Sequence, residues 1–180
     1  MYGREVEKVL IPKEEIESIV KNLGKQISKD FAGEELIVVC ILKGSCIFFS
    51  DLVREINLDV KLDFMTISSY GNGTSSSREV KIVKDLSEDI KGKNVLVVED
   101  IIDSGRTIKR LKELLAEREP KCLKIVSMLD KPERREVEVD GDYCGKQIPD
   151  EFVIGYGLDY AQKYRNFKDI CVLAPAVYQK

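Results

Sequence analysis

Residues 95–107 read VLVVEDIIDSGRT. Four β-forming apolar residues lead into Glu99 and Asp100, and a third acid, Asp103, stands directly before a Ser-Gly-Arg-Thr step. This order is typical of a buried parallel strand that ends in a loop, after which a helix begins. In open α/β sheets, ligands bind where strands end and helices begin, and the free N–H groups of a helix start suit a phosphate. The stretch therefore predicts both a fold class and the place of a site.

Three carboxylates beside a phosphate cradle need an explanation, because they would repel the anion. Holding sugar hydroxyls, holding Mg²⁺ and moving a proton are the uses that would explain them. Acids at strand ends also cap helices or simply face water, and Ser-Gly is a common turn. That ordinary interpretation accounts for one acid, but not for three around one helix start.

The other apolar patterns predict a single α/β domain over residues 1–180, with a mainly parallel central sheet flanked by helices. A chain of 180 residues is long enough for one buried core and too short for two ordinary domains. Helical spacing predicts helices at residues 13–30, 47–56 and about 107–116. Strand-like runs lie at residues 36–42, 60–68, 80–83, 95–98, 122–129, 152–156 and 170–173.

The composition excludes several classes of function. The chain has no histidine, which excludes Ser-His-Asp and Cys-His catalysis and the usual zinc sites. A metal, if one is used, should be a hard, oxygen-bound ion such as Mg²⁺. A net charge of -3 argues against general nucleic-acid binding, and no apolar run is long enough to span a membrane. Five cysteines without a C-x-x-C pair fit buried thiols, so we expect a cytoplasmic location.

Residues 95–107 resemble the phosphoribosyl-diphosphate (PRPP) binding motif of type I phosphoribosyltransferases. In that motif an apolar strand, two acids, two apolar residues, Asp, Ser or Thr, Gly, a variable residue and Thr follow one another. Further segments resemble the hypoxanthine–guanine branch of the family, and their order and spacing agree from about residue 5 to 175. These segments are Leu42-Lys43-Gly44, Leu129-Asp130-Lys131-Pro132, residues 148–160 (IPDEFVIGYGLDY) and Tyr164-Arg165.

The resemblance implies the type I phosphoribosyltransferase fold, with a small hood and a mobile loop. The hood would comprise about residues 148–165 and the N-terminal segment, and a lid would span about residues 69–79. The implied reaction moves the 5-phosphoribosyl group of PRPP to N9 of a 6-oxopurine, hypoxanthine or guanine or both. IMP or GMP and pyrophosphate would be the products, Mg²⁺ the cofactor and purine salvage the context.

The resemblance also implies roles for particular residues, with Asp103 as the acceptor of the purine proton. Pyrophosphate would be bound by Lys43, Gly44 and Arg165. The ribose and its 5′-phosphate would be bound by Glu99, Asp100, Asp103, Ser104, Gly105, Arg106 and Thr107. The purine would be bound by Lys131, Phe152, Val153 and Asp159, and Mg²⁺ by Glu99, Asp100 and Asp159. The lid would begin at Ser69 and Tyr70.

Some of these roles follow from residue chemistry. An ammonium group is a donor only, so Lys131 suits the 6-oxo oxygen of a purine and not the amino group of adenine. An aromatic ring such as Phe152 suits stacking on the base. The competing interpretations are a solvated surface lysine, ordinary core packing of Phe152, and surface ion pairs for Asp159 and Arg165. In this family the peptide bond before Lys43 is often cis.

Departures from the family pattern are small. Ser104 replaces the usual threonine, and Ser45-Cys46 replaces the small residues that are frequent after the glycine.

A regulator on the same fold that contacts RNA or DNA is the main rival function, but the chain is acidic and keeps Asp103 and Lys131. An oxidoreductase is a weaker alternative still, because no G-x-G-x-x-G follows the first apolar strand.

The partners would be the small-molecule substrates and further copies of the chain, as a dimer or tetramer. Preference among hypoxanthine, guanine and xanthine stays open.

Overall fold

The computed structural model describes residues 2–70 and 79–178. The predicted lid at residues 69–79 lies almost entirely outside them, as do the side chains of Ser69 and Tyr70. Nine strands are described: β1 Val6–Ile11, β2 Leu36–Leu42, β3 Val60–Tyr70, β4 Glu79–Lys84, β5 Asn94–Ile102, β6 Cys122–Asp130, β7 Tyr143–Gln147, β8 Val153–Ile154 and β9 Ile170–Leu173. The helices in the same residues are α1 Lys13–Asp30, α2 Cys46–Glu55, α3 Arg106–Ala116 and α4 Pro175–Tyr178, with a 3₁₀ turn at Pro132–Arg134.

The central sheet has six strands in the order β4-β3-β2-β5-β6-β7. All its neighbours pair in parallel except β3 and β4, which are antiparallel. The middle strands are buried on both faces because their sequences are almost wholly apolar. One core lies between the sheet and α1 and α2, and a second lies under α3. The predicted mainly parallel α/β architecture is confirmed.

A second, three-stranded antiparallel sheet has the order β1-β9-β8. It joins the N-terminal strand to the segment that follows residue 148. Its small core contains Ile154, Cys171 and Leu173. No helix in the described part of the chain combines the length and the apolar character needed to cross a bilayer.

Several element boundaries differ from the predictions. Strand β5 was predicted to end at Val98, but its pairing with β6 continues to Ile102 opposite Asp130, so Glu99 and Asp100 lie within the strand. Strands β1 and β7 were not predicted, because both lie at or near sheet edges and lack a continuous apolar pattern. The predicted strand at 152–156 is reduced to Val153–Ile154.

Candidate active site

The predicted site lies where β2, β5 and β6 end and α3 begins. A cavity of about 260 Å³ opens there, between the turn after β2 and the first turn of α3. The predicted residues that line it are Gly44, Glu99, Asp100, Asp103, Ser104, Gly105 and Thr107. The crevice at the carboxyl ends of parallel strands is the expected position of a ligand in this architecture.

The start of α3 has the geometry of an anion cradle. Gly105 has a φ of 82°, and its side-chain-free backbone turns the chain directly into Arg106, the first helical residue. No side chain caps the helix, so the backbone N–H groups of the first turn are free to bind a ligand. The Arg106 side chain pairs with Glu136 and does not line the cavity, so only its backbone is placed for this predicted role.

Gly105 also has to be small. A Cβ atom at this position would lie 2.6 Å from Val139 Cγ1 and 2.8 Å from Arg135 Cδ. The segment after β6 therefore packs directly on the phosphate loop. A side chain at residue 105 would push these two segments apart.

Of the two acids at the end of β5, Glu99 is buried and Asp100 is partly buried. Glu99 is 7% exposed, and burial, together with the neighbouring Asp100 carboxylate, raises the pKa of Glu99 well above its usual value. Burial raises the pKa of Asp100 to about 6. Neither carboxylate forms an ion pair with any residue in the described ranges. Hydroxyl groups or a cation supplied by a ligand would stabilise their charged forms.

The turn after β2 is wedged between β5 and the loop that follows β8. A Cβ atom on Gly44 would lie 1.7 Å from Oδ2 of Asp100, and one on Gly157 would lie 2.0 Å from the Gly44 carbonyl oxygen. Only glycine allows such an approach of backbone to its neighbours. The Leu42–Lys43 peptide bond is cis, as the resemblance implies.

The two predicted pyrophosphate-binding cations meet at this turn. Arg165 donates to the Gly157 carbonyl oxygen at 2.7 Å and pairs with Asp159 at 2.7 Å. Lys43 Nζ lies 3.5 Å from Oε1 of Gln162, and Arg165 Nη2 lies 3.4 Å from the same atom. Gln162 was not predicted, because a lone glutamine outside the family motifs carries no sequence signal.

A second cavity, of about 530 Å³, adjoins the first and shares Ile101 and Asp103 with it. All four residues predicted to bind the purine line this cavity. Three further polar or aromatic lining residues were not predicted, because they belong to a charge run, a loop and the last helix. The predicted residues are Lys131, Phe152, Val153 and Asp159, and the additional ones are Arg134, Asp150 and Tyr178.

Two side chains in this second cavity do not fit their competing interpretations, a solvated surface lysine for Lys131 and core packing for Phe152. Lys131 is only 7% exposed, with its Nζ 3.8 Å from Asp150, so it is not a solvated surface lysine. Phe152 is 41% exposed and therefore not a core residue. Its ring stacks on Tyr178, with centroids 5.3 Å apart, and meets the edge of Tyr160 at 5.6 Å. The cavity thus offers an aromatic surface beside a buried ammonium.

Asp103, the predicted proton acceptor, lies on the wall that the two cavities share. Arg134 Nε is 2.7 Å from its Oδ1, and Arg134 Nη1 is 3.3 Å from the Asp150 carboxylate. The sequence analysis assigned no role to Arg134, so its contact with Asp103 was missed. It holds the Asp103 carboxylate beside the base cavity.

The predicted metal ligands fit a cation only in part. Within residues 2–70 and 79–178, no three carboxylates or thiols come close enough to form a metal site by themselves. Asp159 is already paired with Arg165. Glu99 and Asp100 offer oxygen ligands and form no ion pair within the described residues, and Mg²⁺ commonly binds through one or two carboxylates together with substrate phosphates. The donor set suits a cation that arrives with its substrate.

The chain is similar to known proteins over nearly all its length. Residues 10–161 match the model of the phosphoribosyl transferase domain. A hypoxanthine-guanine phosphoribosyltransferase of Staphylococcus aureus (strain Mu50) is 49% identical over 97% of each chain. A hypoxanthine phosphoribosyltransferase of Salmonella typhimurium is 54% identical over 88% of this chain and 90% of its own. The crystal structure of a Staphylococcus aureus hypoxanthine phosphoribosyltransferase has a TM-score of 0.94 at 48% identity, covering 98% and 96% of the two chains.

Proposed function

Because the chain belongs to the phosphoribosyl transferase family, we propose that it transfers the 5-phosphoribosyl group of PRPP to N9 of a 6-oxopurine. Hypoxanthine, guanine or both are the acceptors, and IMP or GMP and pyrophosphate are the products. The reaction belongs to purine salvage.

The adjoining pair of cavities supports this function most directly. One has the helix start and acids that suit a sugar phosphate, and the other has the ring and ammonium that suit a purine. Group transfer requires the two reacting atoms to be held next to each other. Asp103 lies on the shared wall, where a carboxylate can take the proton that the purine loses as its nitrogen attacks.

The PRPP half of the reaction is assigned to the first cavity. The backbone N–H groups of residues 104–107 hold the 5′-phosphate, while Glu99 and Asp100 face the ribose hydroxyls. Lys43 and Arg165 hold the pyrophosphate and stabilise the negative charge that develops as it leaves. No covalent enzyme intermediate is needed.

The base half is assigned to the second cavity. Lys131 donates to the 6-oxo oxygen, Phe152 stacks on the ring and the backbone of Val153 contacts its edge. Because Lys131 is buried, an acceptor-poor base such as adenine would leave its ammonium unsatisfied at a substantial cost in binding.

We propose Mg²⁺ as the cofactor, held by substrate oxygens with Glu99, Asp100 and Asp159 as the nearby carboxylates. When bound, the ion neutralises charge on the departing pyrophosphate. The raised pKa values of Glu99 and Asp100 support this assignment, because an adjacent cation would favour their ionised forms.

We further propose that the protein is a cytoplasmic homo-oligomer, a dimer or tetramer. The sheet edge formed by β3 and β4 exposes the apolar side chains of Leu62, Phe64 and Val83, which a second copy could cover. All five cysteines are free thiols, which suits a reducing compartment.

The decisive experiment incubates the purified protein with PRPP and Mg²⁺ and, in turn, hypoxanthine, guanine, xanthine, adenine or uracil. Chromatography follows nucleotide formation, and a reaction without PRPP is the control. We expect nucleotide from hypoxanthine or guanine and none from adenine or uracil. Product from adenine alone would refute the role of Lys131 and the proposed substrate class.

A further inference from the structure

Arg135 ties together the two loops that carry the proposed chemistry. Its Nη1 donates to the carbonyl oxygen of Asp103 at 2.6 Å and lies 3.4 Å from that of Ile102. Its Nη2 pairs with Asp130, and its Cδ packs under Gly105. The side chain is 15% exposed and lines neither cavity. Arg135 therefore acts on the site without facing either ligand.

Its partner Asp130 is the last residue of β6 and directly precedes Lys131. The Asp130 side chain is 11% exposed and also accepts from Gln147 Nε2 at 3.4 Å. Two backbone hydrogen bonds join the same two loops. Lys131 N donates to Ile102 O at 2.9 Å, and Glu136 N donates to Ser104 O at 3.0 Å.

A guanidinium group is suited to this place. It presents donors in a rigid fork and can bond carbonyl oxygens with one nitrogen and a carboxylate with the other. A lysine would keep the charge beside Asp130 but would lack the fork. Removing one member of a buried ion pair leaves an uncompensated charge, whereas replacing the pair by apolar residues is often neutral for stability. Stability alone therefore does not explain why the pair lies at this junction.

We propose that Arg135, oriented by Asp130, is a positioning residue that fixes Asp103 and the start of α3 relative to Lys131. Through this contact the loop that holds the sugar phosphate and the loop that holds the purine keep one relative position. The inference rests on the proposed function, since it concerns the alignment of the two substrates of that reaction. Misplacement of a reacting group by about 1 Å can cost on the order of 100-fold in rate.

The test is Arg135→Lys, assayed for nucleotide formation from PRPP and hypoxanthine well below its thermal midpoint. We expect kcat to fall at least about 10-fold, with KM for PRPP and for hypoxanthine each within about threefold of the parent values. Because the charge next to Asp130 is kept, the thermal midpoint should shift by only a few degrees. A purely structural role would lower the midpoint and leave kcat of the folded protein unchanged.

The matched control is Arg118→Lys. Arg118 also grips an aspartate, Asp85, through two bonds of 2.8 Å, and it lies away from both cavities. Its replacement should leave kcat and both KM values at the parent level. A second variant, Asp130→Asn, keeps Arg135 and an acceptor oxygen at residue 130 but removes the negative charge that orients the guanidinium, and we expect a smaller fall in kcat, about 3- to 10-fold.

Each outcome decides the inference. Parent-like kcat in Arg135→Lys, or a change confined to KM, would overturn it. If that variant does not fold, Asp130→Asn carries the test, and parent-like kcat there would overturn it too. If the parent protein forms no nucleotide from any base, the proposed function is refuted and the inference with it. Turnover by the parent together with unaffected variants refutes the inference alone.

Discussion

Asp103 is the residue on which the two proposed half-sites converge. It lines both cavities, and its carboxylate is held by Arg134 at 2.7 Å while its carbonyl is held by Arg135 at 2.6 Å. Side chain and backbone are thus fixed from different directions. A group held in this way is suited to proton transfer, which depends closely on the distance and angle between donor and acceptor.

Asp103→Asn tests the proton acceptor. An amide of the same shape cannot take the purine proton, so we expect kcat to fall about 100-fold or more while PRPP binding stays within about threefold. Steady-state kinetics gives the first quantity and calorimetric titration with PRPP the second. Loss of PRPP binding would show that Asp103 serves the structure of the loop instead.

Asp100→Asn tests the cost of burying the β5 acids. The pKa of Asp100 is about 6 in the folded protein against an ordinary value of 3.8, so the native state holds the proton more tightly than the unfolded chain. The contribution of Asp100 to the free energy of unfolding should therefore fall as pH rises from about 4 to 6 and stay level above that, by about 3 kcal/mol at most. Asn at this position removes that fall, and the variant should be more stable than the parent at pH 7 but less active.

Urea unfolding between pH 4 and 7, with EDTA and without PRPP, measures the effect. Asp85→Asn is the control of opposite sign. The ion pair with Arg118 lowers the pKa of Asp85, so this carboxylate contributes stability above its ordinary pKa, and its replacement should destabilise the protein at pH 7. A loss of stability in Asp100→Asn at pH 7 would contradict the argument.

Among the structural elements, the start of α3 depends most on one residue type. Gly105 combines a φ of 82° with contacts that leave no room for a Cβ atom. Gly33 has a similar φ of 79° but nothing within 4 Å of its missing Cβ. The two glycines therefore separate the cost of a left-handed backbone from the cost of displaced neighbours.

Gly105→Ala should destabilise the protein by more than Gly33→Ala, which we expect to cost about 1 kcal/mol. Only Gly105→Ala should raise KM for PRPP, by about 10-fold or more, because it distorts the free N–H groups that hold the phosphate. Chemical unfolding and steady-state kinetics of both variants provide the comparison. Equal PRPP kinetics in the two variants would show that the cradle tolerates the change.

The sequence predicted those elements in which burial imposes a pattern. The continuous apolar run of β2 and the helical spacing of α1 were both recognisable, and the structure confirms them. The N-terminal strand was missed because β1 pairs only with β9 and leaves half of its side chains exposed. Strand β5 was predicted too short because parallel pairing, not hydrophobicity, continues it through the two acids.

The candidate site divides in the same way. Motif residues such as Lys131 and Gly44 could be predicted, since their types and spacing match a family pattern. Arg134, Gln162 and Tyr178 could not, because their positions beside the cavities follow from chain folding and not from any local pattern. Tertiary contacts of this kind leave no signal in a single sequence.

At the scale of the whole molecule, the cysteine side chains show how well each of the two sheets excludes solvent. Cys40 lies in the central sheet and Cys171 in the small one, and both are buried, with burial raising the pKa of each to about 11. Cys46 and Cys122 are partly exposed and Cys144 is exposed, so the expectation of buried thiols is confirmed for Cys40 and Cys171 and is wrong for Cys144.

Burial also raises the pKa of Cys144, but its side chain can be reached by solvent. A thiol reagent added to the native protein at pH 8 should therefore label Cys144 before Cys40 and Cys171, which should react only after unfolding. Mass spectrometry of peptides from labelled protein identifies the sites. Cys144→Ser should abolish the fast phase and leave activity unchanged. Rapid labelling of Cys171 would show that the three-stranded sheet opens independently of the central one.

The acids at the end of β5, which form no ion pair, affect the thermal stability of the protein when its substrates are scarce. A ligand that brings hydroxyls and a metal ion to Glu99 and Asp100 relieves a penalty that the empty protein carries, so its resistance to heat should rise with the supply of PRPP and Mg²⁺. Melting curves recorded over a series of PRPP concentrations would reveal such a dependence. The acids proposed to bind the substrate would then also make the thermal stability of the protein depend on the substrate concentration.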